Sequence, residues 1–457
     1  MSAQNLRIPG PVPMPDAVRA ALANQMINHR GSEFKLLLSD VRARLAGIFA
    51  TQNEILCFTS SGTGGLEAAV VNLLSPGDRA LMVTGGAFGE RAITIAQTFG
   101  VQVVRLEHPW GAAASPNVLR DTLRANPDVK LVYLTHNETS TGVTNPIGKL
   151  AQVVHEESAA LIMVDSVSGM GALPFETDSW GIDVVVTGSQ KAFGCPPGVA
   201  MISVSPKAWD AVARSKMPRF YWDFQRMREA HSEGSTPYTP AVTVFFGLST
   251  ALELMDQEGN EARFARHARA GDLVRHGVLE MGLGLFADPP YNSNVVTAIS
   301  LPEGVSPQMV REELRARYNT VIAGGLGKLK DSVVRIGHVV FTVVAAAAAN
   351  RHGAGERERC APEASRTSRL RLLRHPFVHP GKDSSHRAMT PEIVRRPRSP
   401  VRDAAFVGAG GRSEETLARY VWVAPECPPR DGVEAEGSTT ALSGGRLQVR
   451  GEPRGSD

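Results

Sequence analysis

Apolar residues over the first two hundred positions recur in two rhythms. Short runs such as NEILCF (53–58), RALMVT (79–84), VQVVRLEH (101–108), VKLVYLTHN (129–137), LIMVDS (161–166), IDVVV (182–186) and GVAMISVS (198–205) have the length and β-branched content of strands. Between them, GLEAAVVNLL (65–74), ERAITIAQTFG (90–100), SPNVLRDTLRAN (115–126) and IGKLAQVVHEES (147–158) place apolar residues three and four apart. That spacing is the buried stripe of an amphipathic helix. Apolar strands alternating with such helices predict an α/β fold with a mainly parallel sheet covered on both faces, over about 50–205.

Further along, residues 206–260 read as helices joined by the aromatic connector FYWDF (220–224). A helix over 261–281, strand-like NVVTAISL (294–301), a helix opening at SPQMVREEL (306–314) and strand-like SVVRIGHV (332–339) predict a smaller α+β domain. Beyond residue 340 the chain carries 18 Arg and one Lys, against 22 Arg and eight Lys before it, and apolar periodicity fades. This composition predicts a poorly ordered tail beyond about 345. The Arg-without-Lys bias also looks like translation of a GC-rich coding strand in a shifted frame from near residue 340. Four segments follow: an N-terminal arm and helix start (1–35), a large α/β domain (36–260), a small, incomplete α+β domain (261–340) and an atypical tail (341–457).

The 457 residues carry a formal net charge of +3, with 42% hydrophobic and 21% charged residues, as in ordinary globular proteins. So small a charge argues for neither nucleic acid nor a membrane surface as partner. The opening MSAQNLRIPG lacks the apolar core of a signal peptide, and no window approaches the length of a membrane span. Four cysteines (57, 195, 360, 427) are too dispersed for a disulfide framework or a zinc site. The expected compartment is a reducing cytoplasm, and no metal is expected.

Several motifs carry chemistry. In TGSQKAFGCPPG (187–198), Lys191 stands between two apolar strands at a Gly/Pro-rich turn. Burial or a nearby positive charge there would release its proton near neutral pH, making it a useful nucleophile; the plain alternative is a solvated turn lysine. SSGTGGLEA (60–68) places hydroxyls and glycines between a strand and a helix, as an anion site or as an ordinary N-cap. It is neither a Walker motif nor a dinucleotide fingerprint. Asp165 in VDSVSGMG (164–171) ends an apolar strand, where it would hold a cationic ring nitrogen or cap the next turn. Phe88 in GGAFGER (85–91) has the placement to lie flat on a planar ligand or to join the core. Arg335 in VVRIGH (333–338) would clamp a carboxylate, or snorkel to solvent.

Together with PGPVPMP (9–15), NHRGSEF (28–34), HNETSTG (136–142) and STPYTP (235–240), these motifs, by order and spacing over residues 6–338, resemble the alanine–glyoxylate/serine–glyoxylate branch of the class V pyridoxal-phosphate aminotransferases. The resemblance implies fold type I, pyridoxal 5′-phosphate as cofactor, and small amino-acid and 2-oxo-acid substrates. Lys191 matches the Schiff-base lysine that also moves the substrate's α-proton. Asp165 matches the partner of the pyridinium nitrogen, and Phe88 the aromatic stacked on the ring. Ser61, Gly62 and Thr63 match the phosphate-side turn, Gln190 a further phosphate contact, and Ser140 and Val167 residues near the ring. Thr239 resembles a phosphate ligand supplied by the neighbouring subunit, which implies a homodimer with shared sites. Arg335 matches the arginine that binds the substrate α-carboxylate. The implied donor is alanine, serine, or a rarer amine such as ureidoglycine or pyridoxamine.

After RIGH the sequence departs from the family, running into VVFTVVAAAAAN and the Arg-rich tail where a closing amphipathic helix is expected. Impaired or absent turnover is the resulting expectation. The alternatives to transamination are a cofactor-binding but inactive product and a lyase of cysteine-desulfurase type, which needs a cysteine on a mobile loop.

Overall fold

The computed structural model describes residues 4–339; the expectations for the tail lie outside the described residues. The strands, in chain order, are β1 (Asn5–Arg7), β2 (Glu54–Ser60), β3 (Arg79–Thr84), β4 (Gln102–Glu107), β5 (Leu131–Thr135), β6 (Asn137–Glu138), β7 (Val143–Thr144), β8 (Leu161–Asp165), β9 (Val184–Gly188), β10 (Gly198–Val204), β11 (Gly284–Leu285), β12 (Val296–Ser300), β13 (Thr320–Gly324) and β14 (Val333–Gly337). One sheet has the order β2-β10-β9-β8-β5-β3-β4. Only β10 is antiparallel to its neighbours; the β9–β8, β8–β5, β5–β3 and β3–β4 pairs are parallel. Because β2 and β9 both oppose β10, they run the same way. Every strand of this sheet except β10 therefore points its carboxyl end at one edge.

Both faces of the sheet are dry, which explains the continuous apolar runs. In β5, Val132 and Leu134 pack with Leu38 and Leu45 of one helical layer, while Leu131 and Tyr133 pack with Val70 and Ile93 of the other. The same division separates Val185 from Val184 and Val186 in β9. Successive strand residues face opposite sides, so a sheet buried on both faces needs apolar residues at every position. The helices α1 (Asp16–Ala21), α2 (Ser32–Phe49), α3 (Gly62–Leu73) and α4 (Ala87–Thr98) open the helical series.

A second sheet has the order β1-β13-β14-β12-β11, with Val278, Leu283, Ile299, Val310, Leu314, Ile322, Val334 and Ile336 forming a core between it and the helices Asn260–Glu280 and Pro307–Tyr318. Three of its strands escape the sequence reading: β11, with only two residues, Gly284–Leu285, together with β13 and β1. β13 is short and runs into Gly324–Gly325, so its apolar pattern is too brief to register. β1 lies in the N-terminal arm and pairs in parallel with β13, Asn5 opposite Thr320. A three-residue strand whose partner is over 300 positions away has no local signature. Two helix starts also move: α3 begins at Gly62 rather than 65, and α4 at Ala87 rather than 90. The glycines that read as turn residues form first helical turns, because tertiary contacts outweigh their weak helix propensity.

The packing sets a stability expectation. Leu134→Ala, at a position 1% exposed in β5, lowers stability by about 2–5 kcal/mol. Val118→Ala, at a position 51% exposed, changes it by less than about 0.5 kcal/mol. Denaturant unfolding of the two variants checks the contrast.

Candidate active site

Because the parallel strands share a direction, the segments following β2, β3, β5, β8 and β9 gather along one edge of the sheet. This edge collects Ser61, Phe88, Ser140, Asp165 and Lys191 from five separate parts of the chain. Lys191 is partly buried, and its Nζ donates to the Pro9 carbonyl at 2.9 Å. Desolvation, then the positive charges of Arg335 and Arg91, lower its pKa to about 8, against the opposing pull of Asp165. The arm segment is held in place by Val12 N donating to the Gln190 carbonyl. A Cβ at Gly10 would lie 2.6 Å from Lys191 Nζ, and φ there is +134°, a conformation that favours glycine.

Asp165, at the end of β8, is buried. Tyr133 Oη donates to its Oδ2 at 3.3 Å and Val167 N to its Oδ1 at 2.9 Å. Thr135 Oγ1 donates in turn to Tyr133 Oη at 3.1 Å. Burial raises the Asp165 pKa, while these two hydrogen bonds and the charges of Arg91 and Lys191 oppose the rise.

Beside this pair the start of α3 forms an anion cradle. Ser61 is its N-cap, accepting from Gly64 N at 3.4 Å. Two glycines bring the helix against the sheet. A Cβ on Gly62 would lie 2.7 Å from Val167 Cγ2, and one on Gly188 would lie 3.3 Å from Gly62 N and 2.7 Å from Gln190 Oε1. Gln190 Oε1 is buried without a hydrogen-bond partner among the described residues. Arg91 adds positive charge, with Nη1 donating to Thr63 Oγ1 at 3.2 Å and its guanidinium 4.8 Å above the Phe88 ring.

Phe88 is half-buried in the first turn of α4, which Glu138 anchors. The buried Glu138 carboxylate accepts from Phe88 N and Gly89 N, each at 3.2 Å, and from Ser140 N at 3.0 Å and Ser140 Oγ at 2.5 Å. Ser140 Oγ accepts from Ala87 N at 2.9 Å. An anion at a helix N-terminus is favoured by the free N–H groups and the helix dipole. Burial still raises the Glu138 pKa, against these hydrogen bonds.

From the second sheet, Arg335 reaches the same region. It is 7% exposed; Nε donates to the Gly324 carbonyl at 2.8 Å and Nη1 to the Thr139 carbonyl at 3.0 Å. Burial lowers its pKa to about 10, and Glu138 opposes the shift. Thr239 is exposed, and no hydrogen bond described around Lys191 or Asp165 includes it. Its loop is tied down by Arg30, whose Nη1 donates to the Thr236 carbonyl at 2.8 Å.

This arrangement is matched by known proteins. The family description Aminotransferase class-V fits residues 17–334. The chain belongs to the class-V aminotransferases. Its relatives include a protein named soluble hydrogenase, small subunit, from Synechococcus sp., 40% identical over 339 residues (74% of this chain, 88% of that one). They also include the serine–glyoxylate aminotransferase of Methylorubrum extorquens, 37% identical over 345 residues (73% and 86%). Among solved structures, alanine–glyoxylate aminotransferase from Nostoc sp. superposes with a TM-score of 0.72 at 28% identity, covering 75% of this chain and 91% of that one. The fold is that of these pyridoxal-phosphate enzymes, and the protein is a pyridoxal 5′-phosphate-dependent aminotransferase.

The residues present fit this cofactor. The capped, glycine-lined start of α3, with the Thr63 hydroxyl and the Arg91 guanidinium beside it, suits a phosphate, Asp165 a protonated ring nitrogen, and Lys191 an aldehyde carbon. Five neighbours of the class-V site were not singled out in the sequence: Tyr133, Glu138, Arg91, Pro9 and Gly10. Glu138 and Arg91 lie inside HNETSTG and GGAFGER, where a charged residue among small ones is a detectable signal. Tyr133 is hidden in the apolar alternation of its strand, and Pro9 and Gly10 have no local signal of contact with Lys191.

The electrostatics predict a titration. In apoenzyme, labelling of Lys191 by a small amine-acylating reagent rises with pH through a midpoint near 8, below the 10.5 of an ordinary lysine. Arg335→Gln removes a charge that opposes the ammonium, so the midpoint moves up. Peptide mapping of the label across a pH series reads both.

Proposed function

We propose that this aminotransferase moves an amino group from a small amino acid, alanine or serine, to a 2-oxo acid such as glyoxylate or pyruvate. The observation that carries the reading is Lys191, its amine partly neutral near physiological pH, beside both a buried carboxylate and a buried arginine. Pyridoxal phosphate, when bound, supplies the electron sink that makes the substrate Cα–H bond labile. The chain's residues then divide the work. Lys191 Nζ would take the proton from Cα of the donor and, in the second half of the exchange, deliver a proton to Cα of the new amino acid. Asp165 holds a proton on the ring nitrogen, and Tyr133 keeps that carboxylate oriented. Ser61, Gly62, Thr63 and Gln190 would hold the phosphate, while Phe88, Ser140 and Val167 would bound the ring. Arg335 trades its bond to the Thr139 carbonyl for the substrate α-carboxylate, whose bidentate geometry it matches.

Cysteine chemistry is disfavoured among the described residues. Cys57 and Cys195 are buried, and burial pushes both thiols up to about 12. Neither offers a thiolate at neutral pH. Cys360 and Cys427 lie outside the described residues, as does the altered C-terminus on which the inactive alternative depends. Among the described residues no helix is long and apolar enough to cross a membrane. A reducing cytoplasm suits the two free thiols.

A homodimer belongs to the same reading. Phe220 is 64% exposed, and Tyr221 stacks on Tyr238 with centroids 5.2 Å apart, beside the loop that carries exposed Thr239. Exposed aromatic clusters of this kind are typical of interface cores. Thr239 would then complete the phosphate site of the neighbouring copy.

Spectroscopy of the holoenzyme tests the reaction. The cofactor absorption bleaches on addition of alanine or serine and returns with glyoxylate; absorption without response means the inactive alternative. Borohydride trapping places the cofactor on Lys191, and recovery on another lysine ends the mechanism. Arg335→Gln raises KM for the donor by about tenfold to a hundredfold, from loss of a charged hydrogen bond. For assembly, sedimentation gives a dimer, which Phe220→Glu converts to a monomer with weaker cofactor retention.

A further inference from the structure

A second polar cavity lies away from the cofactor edge. β2 enters the sheet at Glu54–Ile55 and leaves it at Ser60, beside the active site. At the entry end, α2 and the helix Phe224–Ser232 border a cavity of about 430 Å³. That volume lies within the range of small-molecule sites.

The wall of this cavity is unbalanced in charge. Arg42 donates from Nε to the Ile55 carbonyl at 2.9 Å, and among the described residues no acceptor meets its terminal amino groups. Lys35, on the same helix and exposed, has no ion-pair partner among the described residues. The one carboxylate in the wall, Glu54, is engaged by Arg228 at 2.5 Å. Two cations are thus left facing the cavity after that pair is set aside.

His231 supplies the independent observation. It is 4% exposed, lines the cavity, and among the described residues has no hydrogen-bond partner on either ring nitrogen. Burial, reinforced by the charge of Arg42, pushes its pKa down to about 3, so the ring is neutral, with one N–H to donate and one lone pair to accept. A buried polar group left unmatched costs about 1–3 kcal/mol. A turn of the ring would bring that N–H to the cavity, where a ligand oxygen accepting from it would offset the cost, and an anionic one would also satisfy Arg42 and Lys35.

We propose that this cavity is a binding site for a small oxyanion, a phosphate or a carboxylate, held by the Arg42 fork and Lys35 with the His231 N–H as a neutral donor. Arg42 matches the planar geometry of either oxyanion, and Lys35 closes the open side as a point charge. The site does not depend on the transamination reading, because none of these three residues belongs to the cofactor edge.

Calorimetric titration of the cofactor-loaded enzyme with inorganic phosphate and, separately, with succinate tests the site. Saturable binding of one or both is expected, weakened about tenfold or more by Arg42→Gln and several-fold by Lys35→Ala. Arg335→Gln leaves it unchanged. Binding of phosphate alone or of succinate alone supports the site and assigns the source of the oxyanion. Because Arg42 also supports the Ile55 carbonyl, Lys35→Ala serves as the variant at an exposed position should Arg42→Gln unfold. The proposal is overturned if neither anion gives saturable heat up to about 10 mM. It is equally overturned if binding survives both Arg42→Gln and Lys35→Ala but is lost in Arg335→Gln.

Discussion

The shared direction of the strands is the constraint on which the active site depends. A sheet covered on both faces by helices has no polar surface on its sides, so ligand chemistry is confined to its edges. With β2, β3, β5, β8 and β9 all running one way, five connections meet at a single edge. Each contributes one or two side chains to it: Ser61, Phe88 with its Arg91, Ser140 with Glu138, Asp165, and Lys191. Reversing any one strand would send its contribution to the far side of the molecule.

What gathers at that edge is a set of charges taken out of water. Lys191 and Arg335 are cationic, Asp165 and Glu138 anionic, and burial opposes the charged form of all four. Isolated buried charges are expensive, and the expense is offset here by alternating signs and by hydrogen bonds. Glu138 is met by three backbone N–H groups and a hydroxyl, Asp165 by Tyr133 and a backbone N–H, and Arg335 by two carbonyls. Lys191 has the thinnest support, a single carbonyl from the arm. Of the two cations it is therefore the one whose proton is more readily lost, which is what an amine acting as nucleophile and base requires.

Much of this was legible in the chain because it is local. The strands of the large sheet announce themselves as apolar runs, and Asp165 and Lys191 stand out as charged residues at the ends of such runs. Glu138 and Arg91 were within reach, being charged residues inside motifs already noticed. Other features had no local cause. β1 is three residues long and owes its existence to β13, and the contact of Pro9 with Lys191 follows from that distant pairing. Tyr133 looks like any buried aromatic until β5 and β8 lie side by side.

The α/β character of the large sheet, its two-faced burial and the placing of Asp165 and Lys191 at strand ends follow from the sequence by itself, because periodicity and residue chemistry are properties of short segments. The tertiary structure alone decided the environment of those residues. Only with the arm laid over the sheet edge and the second sheet docked against the Thr139 carbonyl do Lys191 and Arg335 come within electrostatic reach of each other. A pKa depends on desolvation and on charges brought close in space, and neither quantity exists until the chain has folded.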